Sequence, residues 1–155
     1  MRLRWPLWAA LALCSAMAAA AEPDAAAALV ERMKLGEGFA ELAYEVAAKT
    51  QTYRALAQSA GLRRAQDAVR EELERALPKY QPRWDRNLAD AYAETFTREE
   101  LDSLAEKQNA SPYFDKFQVR QSQVGRSMQA KSNALLRDLV SEALKNASSR
   151  LTPPK

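Results

Sequence analysis

Runs of β-branched residues are absent from this chain, and glycine occurs only at Gly36, Gly38, Gly61 and Gly125. Alanine, leucine, glutamate, arginine, lysine and glutamine dominate instead, and all are good helix formers. The chain therefore reads as all-α, and its architecture follows from where the helices are interrupted.

Asp24 suits the cap of a first helix reaching about Leu35, with Ala27, Leu29, Val30 and Met33 as its apolar positions. Gly36-Glu37-Gly38 breaks it, since two glycines so close weaken any helix. A second helix is expected from about Phe39 to Gln58, with Phe39, Leu42, Val46, Tyr53, Leu56 and Ala57 as an approximate stripe at three and four spacing. Ser59-Ala60-Gly61 marks the next turn. The third helix is expected over about Leu62 to Leu77, burying Leu62, Ala65, Val69, Leu73, Ala76 and Leu77 and turning Arg63, Arg64, Asp67, Arg70, Glu71, Glu74 and Arg75 to solvent. Pro78 should stop it, because proline has no N–H to donate and crowds the preceding turn. Pro82 then sets the start of a fourth helix with Trp84, Leu88, Ala91, Tyr92 and Phe96 as its stripe. Trp84, the one tryptophan beyond residue 21, is expected to be at least partly buried.

The strongest local signal is Thr97-Arg98-Glu99-Glu100. Thr97 can accept a backbone N–H bond at the N-cap while Glu100 reaches back to the cap's own N–H, a capping box. Phe96 before the cap and Leu101 at N4 have hydrophobic-staple spacing, and Leu104 and Ala105 continue the buried face. Asn109-Ala110-Ser111-Pro112 is a second boundary, with Ser111 at N-cap and Pro112 at N1. The last helix is expected from Pro112 to about Ala147, with Tyr113, Phe117, Val124, Met128, Leu135, Leu139 and Leu144 inward. Gln121 and Lys131 interrupt that seam, and Gly125 suggests a bend or a close helix crossing. The expectation is a single-domain helical bundle of about five to six helices over residues 22–150, with a long C-terminal helix, fraying from Ser148 onward, and a disordered tail at 151–155.

Residues 1–21 read as a cleavable export signal. Arg2 and Arg4 form the positive start, residues 5–14 (WPLWAALALC) the apolar stretch, and Ala19-Ala20-Ala21 before Glu22 offers small side chains to a signal peptidase. A retained anchor would have 17 apolar residues from Trp5 to Ala21, the short limit for a spanning helix. Lipidation at Cys14 meets Leu13 where a small residue is usual. The expected location is the periplasm, with lipid-anchored and secreted forms left open.

Removal of the signal takes two arginines and no acidic residue, so the formal net charge of +3 falls to +1. Such a balance gives no gross electrostatic case for nucleic acid, and none is expected as a partner. Cys14 leaves with the signal, so no disulfide holds the remainder together. Histidine is absent throughout. Ser-His and Cys-His nucleophile systems and His or Cys zinc sites are thereby excluded. No metal or other cofactor is expected, and no calcium-loop pattern is present.

Residues 95–117, TFTREELDSLAEKQNASPYFDKF, resemble the domain-of-unknown-function family numbered 2059. That family carries a Phe-Thr-x-x-Glu-Leu motif after an aromatic-rich helix end, then Phe-Tyr-x-Ser-Pro-x-Gly and a long C-terminal helix. Phe96, Thr97, Glu100 and Leu101 match the first motif and Ser111 and Pro112 the Ser-Pro, with Tyr92 and Leu104 in keeping. Lys107-Gln108-Asn109 replaces the Phe-Tyr segment, and the glycine after Ser-Pro is missing, with Phe114 in that neighbourhood. The likeness covers about residues 80–145. It implies an exported bacterial helical protein and supplies no active site.

Three functions remain. A non-enzymatic envelope protein that binds a partner protein or itself is the first. Its candidate surface is Tyr113, Phe114 and Phe117 with Arg120 and Arg126; the two arginines lie in a stretch from Lys116 to Arg137 that has no acidic residue and could meet anionic lipid or a polyanionic cell-wall component. Three aromatics within five residues cannot share one helix face, so the cluster is either core or an exposed patch. The second function is a helical pocket for a lipid or other apolar ligand, lined by Met33 and Met128. The third is a hydrolase using carboxylates alone, among Glu99, Glu100, Asp102, Glu106 and Asp115.

Overall fold

The computed structural model describes residues 23–151. The expected export signal with Cys14, and the tail from Thr152 onward, lie outside the described residues. Six α-helices form: α1 Pro23–Arg32, α2 Phe39–Ala48, α3 Gln51–Ala60, α4 Leu62–Ala93, α5 Arg98–Lys107 and α6 Phe114–Leu151, with one 3-10 turn, Gln108–Ala110, before α6. Together they are an all-α, single-domain bundle with a long C-terminal helix.

α4 and α6 form the frame. They run antiparallel: Glu72 meets Arg150, Tyr80 donates to Glu142, Asn87 to Ser132, and Tyr92 to Gln121. At 1.5 Å per residue they extend roughly 48 and 57 Å. α2 and α3 pack against both long helices, while α1 packs against α4 and α5. The two interruptions of the α6 seam are absorbed at this interface. Gln121 accepts the Tyr92 hydroxyl, and buried Ser132 takes the place beside Lys131, bonded to Asn87 and to the Met128 sulfur.

The long second helix expected over Phe39–Gln58 is two helices. Thr50 has extended backbone (ψ 157°), and its side chain accepts from the Tyr53 N–H at 3.1 Å, so α3 starts with its own N-cap. The buried face of α2 is Phe39, Ala43 and Ala47, four apart. Leu42 is 38 % exposed and Val46 only half-buried, so the expected stripe was displaced by one position. Leu62, expected in the core, is 64 % exposed at the first position of α4.

Pro78 does not stop a helix and Pro82 does not start one: both sit inside α4. Each deprives the carbonyl four residues back, of Glu74 and of Pro78, of its N–H partner. Glu74, Pro78 and Pro82 are all exposed, so the unserved carbonyls lie on the side that water reaches. Tyr80, Trp84 and Leu88 keep the opposite side buried through the same stretch. α4 ends at Ala93, which leaves Phe96 outside any helix yet buried. α6 begins two residues after the expected Pro112 and continues past Ala147, where Arg150 bridges Glu71 and Glu72. Gly125 marks neither a close crossing nor an end of α6; a Cβ there would meet nothing within 4 Å. Trp84 is buried as expected, its ring stacked on Phe39 with centroids 4.1 Å apart.

Candidate functional site

The segment singled out by sequence is a structural joint. Thr97 accepts from the Glu100 N–H and Glu100 accepts from the Thr97 N–H, so both halves of the capping box are made. Burial pushes the Glu100 carboxyl up. The Lys116 ammonium, hydrogen-bonded to it, and the Thr97 N–H outweigh that and hold it below its ordinary value. Phe96 and Leu101 are both buried, consistent with the staple spacing. Ser111 is buried, its hydroxyl sharing a 2.9 Å bond with Ser103 and accepting from the Tyr113 N–H at 3.2 Å, while Pro112 lies exposed in the turn before α6.

The aromatic cluster is mostly internal. Phe117 is buried and stacks on Tyr92 at 5.6 Å and on Phe114 at 5.9 Å, with Phe96 at 6.2 Å. Phe114 and Tyr113 are half-buried against it, and the Tyr113 hydroxyl donates to Glu99 at 3.0 Å. No open aromatic patch is left at this joint. Arg120 and Arg126 are exposed, and Val119 beside them is 77 % exposed.

The candidate carboxylates serve other purposes. Glu100 belongs to the cap, Glu99 accepts from Tyr113, Asp102 pairs with Arg98 at 3.7 Å, and Glu106 and Asp115 are exposed. Met128 is buried and Met33 half-buried against the core, and neither lines the cleft between α1 and α4. Among the described residues, no group of three or more acidic, His or Cys side chains is arranged to hold a metal ion. No helix among them is long and apolar enough to cross a membrane.

An open space lies elsewhere, between α1 and the middle of α4. α1 ends in a Schellman motif: the Leu35 N–H bonds the Val30 carbonyl at 3.0 Å and the Lys34 N–H bonds Glu31 at 3.2 Å, with Lys34 in the left-handed region at φ 54°. That turn throws the next residues back onto α4. Gly36 lets the turn lie close against α4: a Cβ there would stand 2.0 Å from the Asp85 Oδ1 and push that side chain aside. Gln81 Nε2 fastens the turn, donating to the Gly36 carbonyl at 3.1 Å and to Asp85 at 2.8 Å. The result is a cleft of about 790 Å³.

Ala27, Val30, Pro82 and Ala89 give the cleft an apolar floor. Its charged lining is unequal: Asp24, Glu31, Glu37, Asp85 and Asp90 face only Lys34 and Arg86. Lys34 is engaged by Glu37 at 3.3 Å, while Asp24, Glu31 and Asp90 form no ion pair among the described residues. Chemically this is a receptacle for an apolar group flanked by cations.

No family model, curated protein or solved structure matches this chain. The cleft therefore stands on its own geometry. Its acidic residues are spread from position 24 to position 90, and the one signal in the sequence was the Gly36-Glu37-Gly38 break that builds its rim.

Proposed function

We propose that this chain is a non-enzymatic helical protein of the bacterial envelope that holds a segment of a partner protein in the cleft between α1 and α4. The observation that carries the reading is the pairing of an apolar floor with a rim of five carboxylates and two cations. Such a rim repels anionic lipid and polyanions and suits a segment with an apolar side chain between lysines or arginines. The export signal read in residues 1–21 supports the location. The likeness to the family numbered 2059 supports it too, although the matched residues act here as cap and staple.

The test uses protein expressed from its full-length gene and purified from the envelope. A fluorescent synthetic peptide of alternating leucine and arginine should bind, and its glutamate counterpart should not. The Glu31→Lys/Asp90→Lys variant should weaken binding at least tenfold, or about 1.4 kcal/mol. Equal binding of both peptides, or of neither, would sink the cleft reading. Intact mass of the same preparation should show a chain beginning near Glu22; a lipid on Cys14 would instead make it membrane-attached.

A further inference from the structure

The cleft asks for an apolar side chain with cations close by, and this chain displays one on its own surface. Among the described residues Val119 is the most exposed large apolar side chain, at 77 %. Arg126 follows seven residues later, two turns along the same line of α6, and Arg120 stands about 100° round the helix from that line. Two other cations of this acid-free stretch are already engaged, Lys116 with Glu100 and Lys131 with Glu94. Arg120 contacts the neutral Gln123 at 2.9 Å, and neither Arg120 nor Arg126 meets a carboxylate among the described residues.

In the single molecule the two surfaces stay apart: Val119, Arg120 and Arg126 are not among the residues that line the cleft, and Val119 remains 77 % exposed. A surface and a different surface that complements it, both on one molecule, make a heterologous contact, which builds rings or open chains.

We propose that this protein self-associates head to tail, the α6 stripe of Val119, Arg120 and Arg126 in one copy seated in the α1–α4 cleft of the next. The proposal rests on the cleft reading and names its occupant. Two patches left incomplete in the single molecule complete each other: the apolar knob covers the apolar floor, and the unpaired arginines meet Asp24, Glu31 and Asp90.

Sedimentation velocity on the full-length gene product, over a wide concentration range, tests this. The weight-average mass should rise with concentration to at least twice the monomer's, and less so at high salt, because rim charges are screened. Two variants at exposed positions should each stay monomeric: Val119→Ser/Arg120→Gln/Arg126→Gln, which removes the knob, and Ala27→Trp, which fills the cleft. Mixed together they should form a 1:1 dimer and nothing larger, since each retains one intact surface. Wild-type protein that stays monomeric throughout, or association that survives either variant, overturns the proposal. The leucine–arginine peptide separates the two failures: if monomeric wild type still binds it, the cleft reading stands and only the self-occupant falls; if it does not, both fall.

Discussion

Phe39 is the residue whose loss should be felt furthest. It is 1 % exposed, opens α2 directly after the Gly36–Gly38 turn, and stacks on Trp84 with an interplanar angle of 11°. Truncating a buried phenylalanine to alanine costs about 3–5 kcal/mol, transfer and residual cavity together. That range includes an aromatic pair worth about 0.5–1.5 kcal/mol. For Phe39→Ala we expect a loss of about 4 kcal/mol, a large share of the ~5–15 kcal/mol that a domain has in total. Phe39→Leu keeps most of the apolar volume and loses the stack, so it should cost about 1–2 kcal/mol. Urea unfolding followed by helix circular dichroism measures both, and Trp84 fluorescence reports the stack itself. Trp84 adjoins Asp85, whose side chain lies against Gly36, so Phe39→Ala should also weaken peptide binding in the cleft. If the two variants cost the same, or alanine costs less than about 1.5 kcal/mol, the stack and its packing are not what hold the turn to α4.

Gly125→Ala should stabilise the protein by about 0.5–1 kcal/mol, since the site is an exposed helix interior with open space around the new methyl. Gly61→Ala should do the reverse, because Gly61 sits at φ 91° between α3 and α4; the two thermal midpoints should move in opposite directions. Glu72, 2 % exposed, feels burial pushing its carboxyl up, but hydrogen bonds from Arg150 and Arg75 and their charges hold it below its ordinary 4.5. A depressed folded value means that the stabilisation is complete above the unfolded value and disappears as pH falls through the folded one. Glu72→Gln should therefore unfold at lower temperature than wild type at pH 7, with the difference narrowing as pH falls below 4.5; a gap that does not narrow on acidification refutes the ion-pair account.

Features made of near neighbours in the chain were legible. The capping box and the α1 and α3 ends depend on residues a few positions apart, and all fall close to where the sequence places them. Thr50 is of a cap-forming type, but the apolar spacing runs on across it and hid the break. The prolines of α4 misled because a proline's effect depends on where its orphaned carbonyl points. Their spacing of four, on a line shared with Glu74 and Arg86, is the clue that both face water. In α2 the leucine looked like the better core residue, yet the face against the long helices is alanine, and close approach between helices is a property of the pair. The cleft was illegible for the same reason: it exists only once α1 and α4 are packed.

The order of the helices along the chain sets a timetable. α2, α3 and α4 all lean on α6, and all three are synthesised before it. A nascent chain that has reached Asn109 has made five of its helices, yet the buried faces of Leu73, Tyr80 and Leu88 still lack the side chains of Leu135, Leu139, Val140 and Ala143 that share their core. Closure must wait for α6, so the earlier helices stay open until it has been made. A chain that commits to its shape so late is one that can still be threaded, and its folding is timed by the arrival of α6.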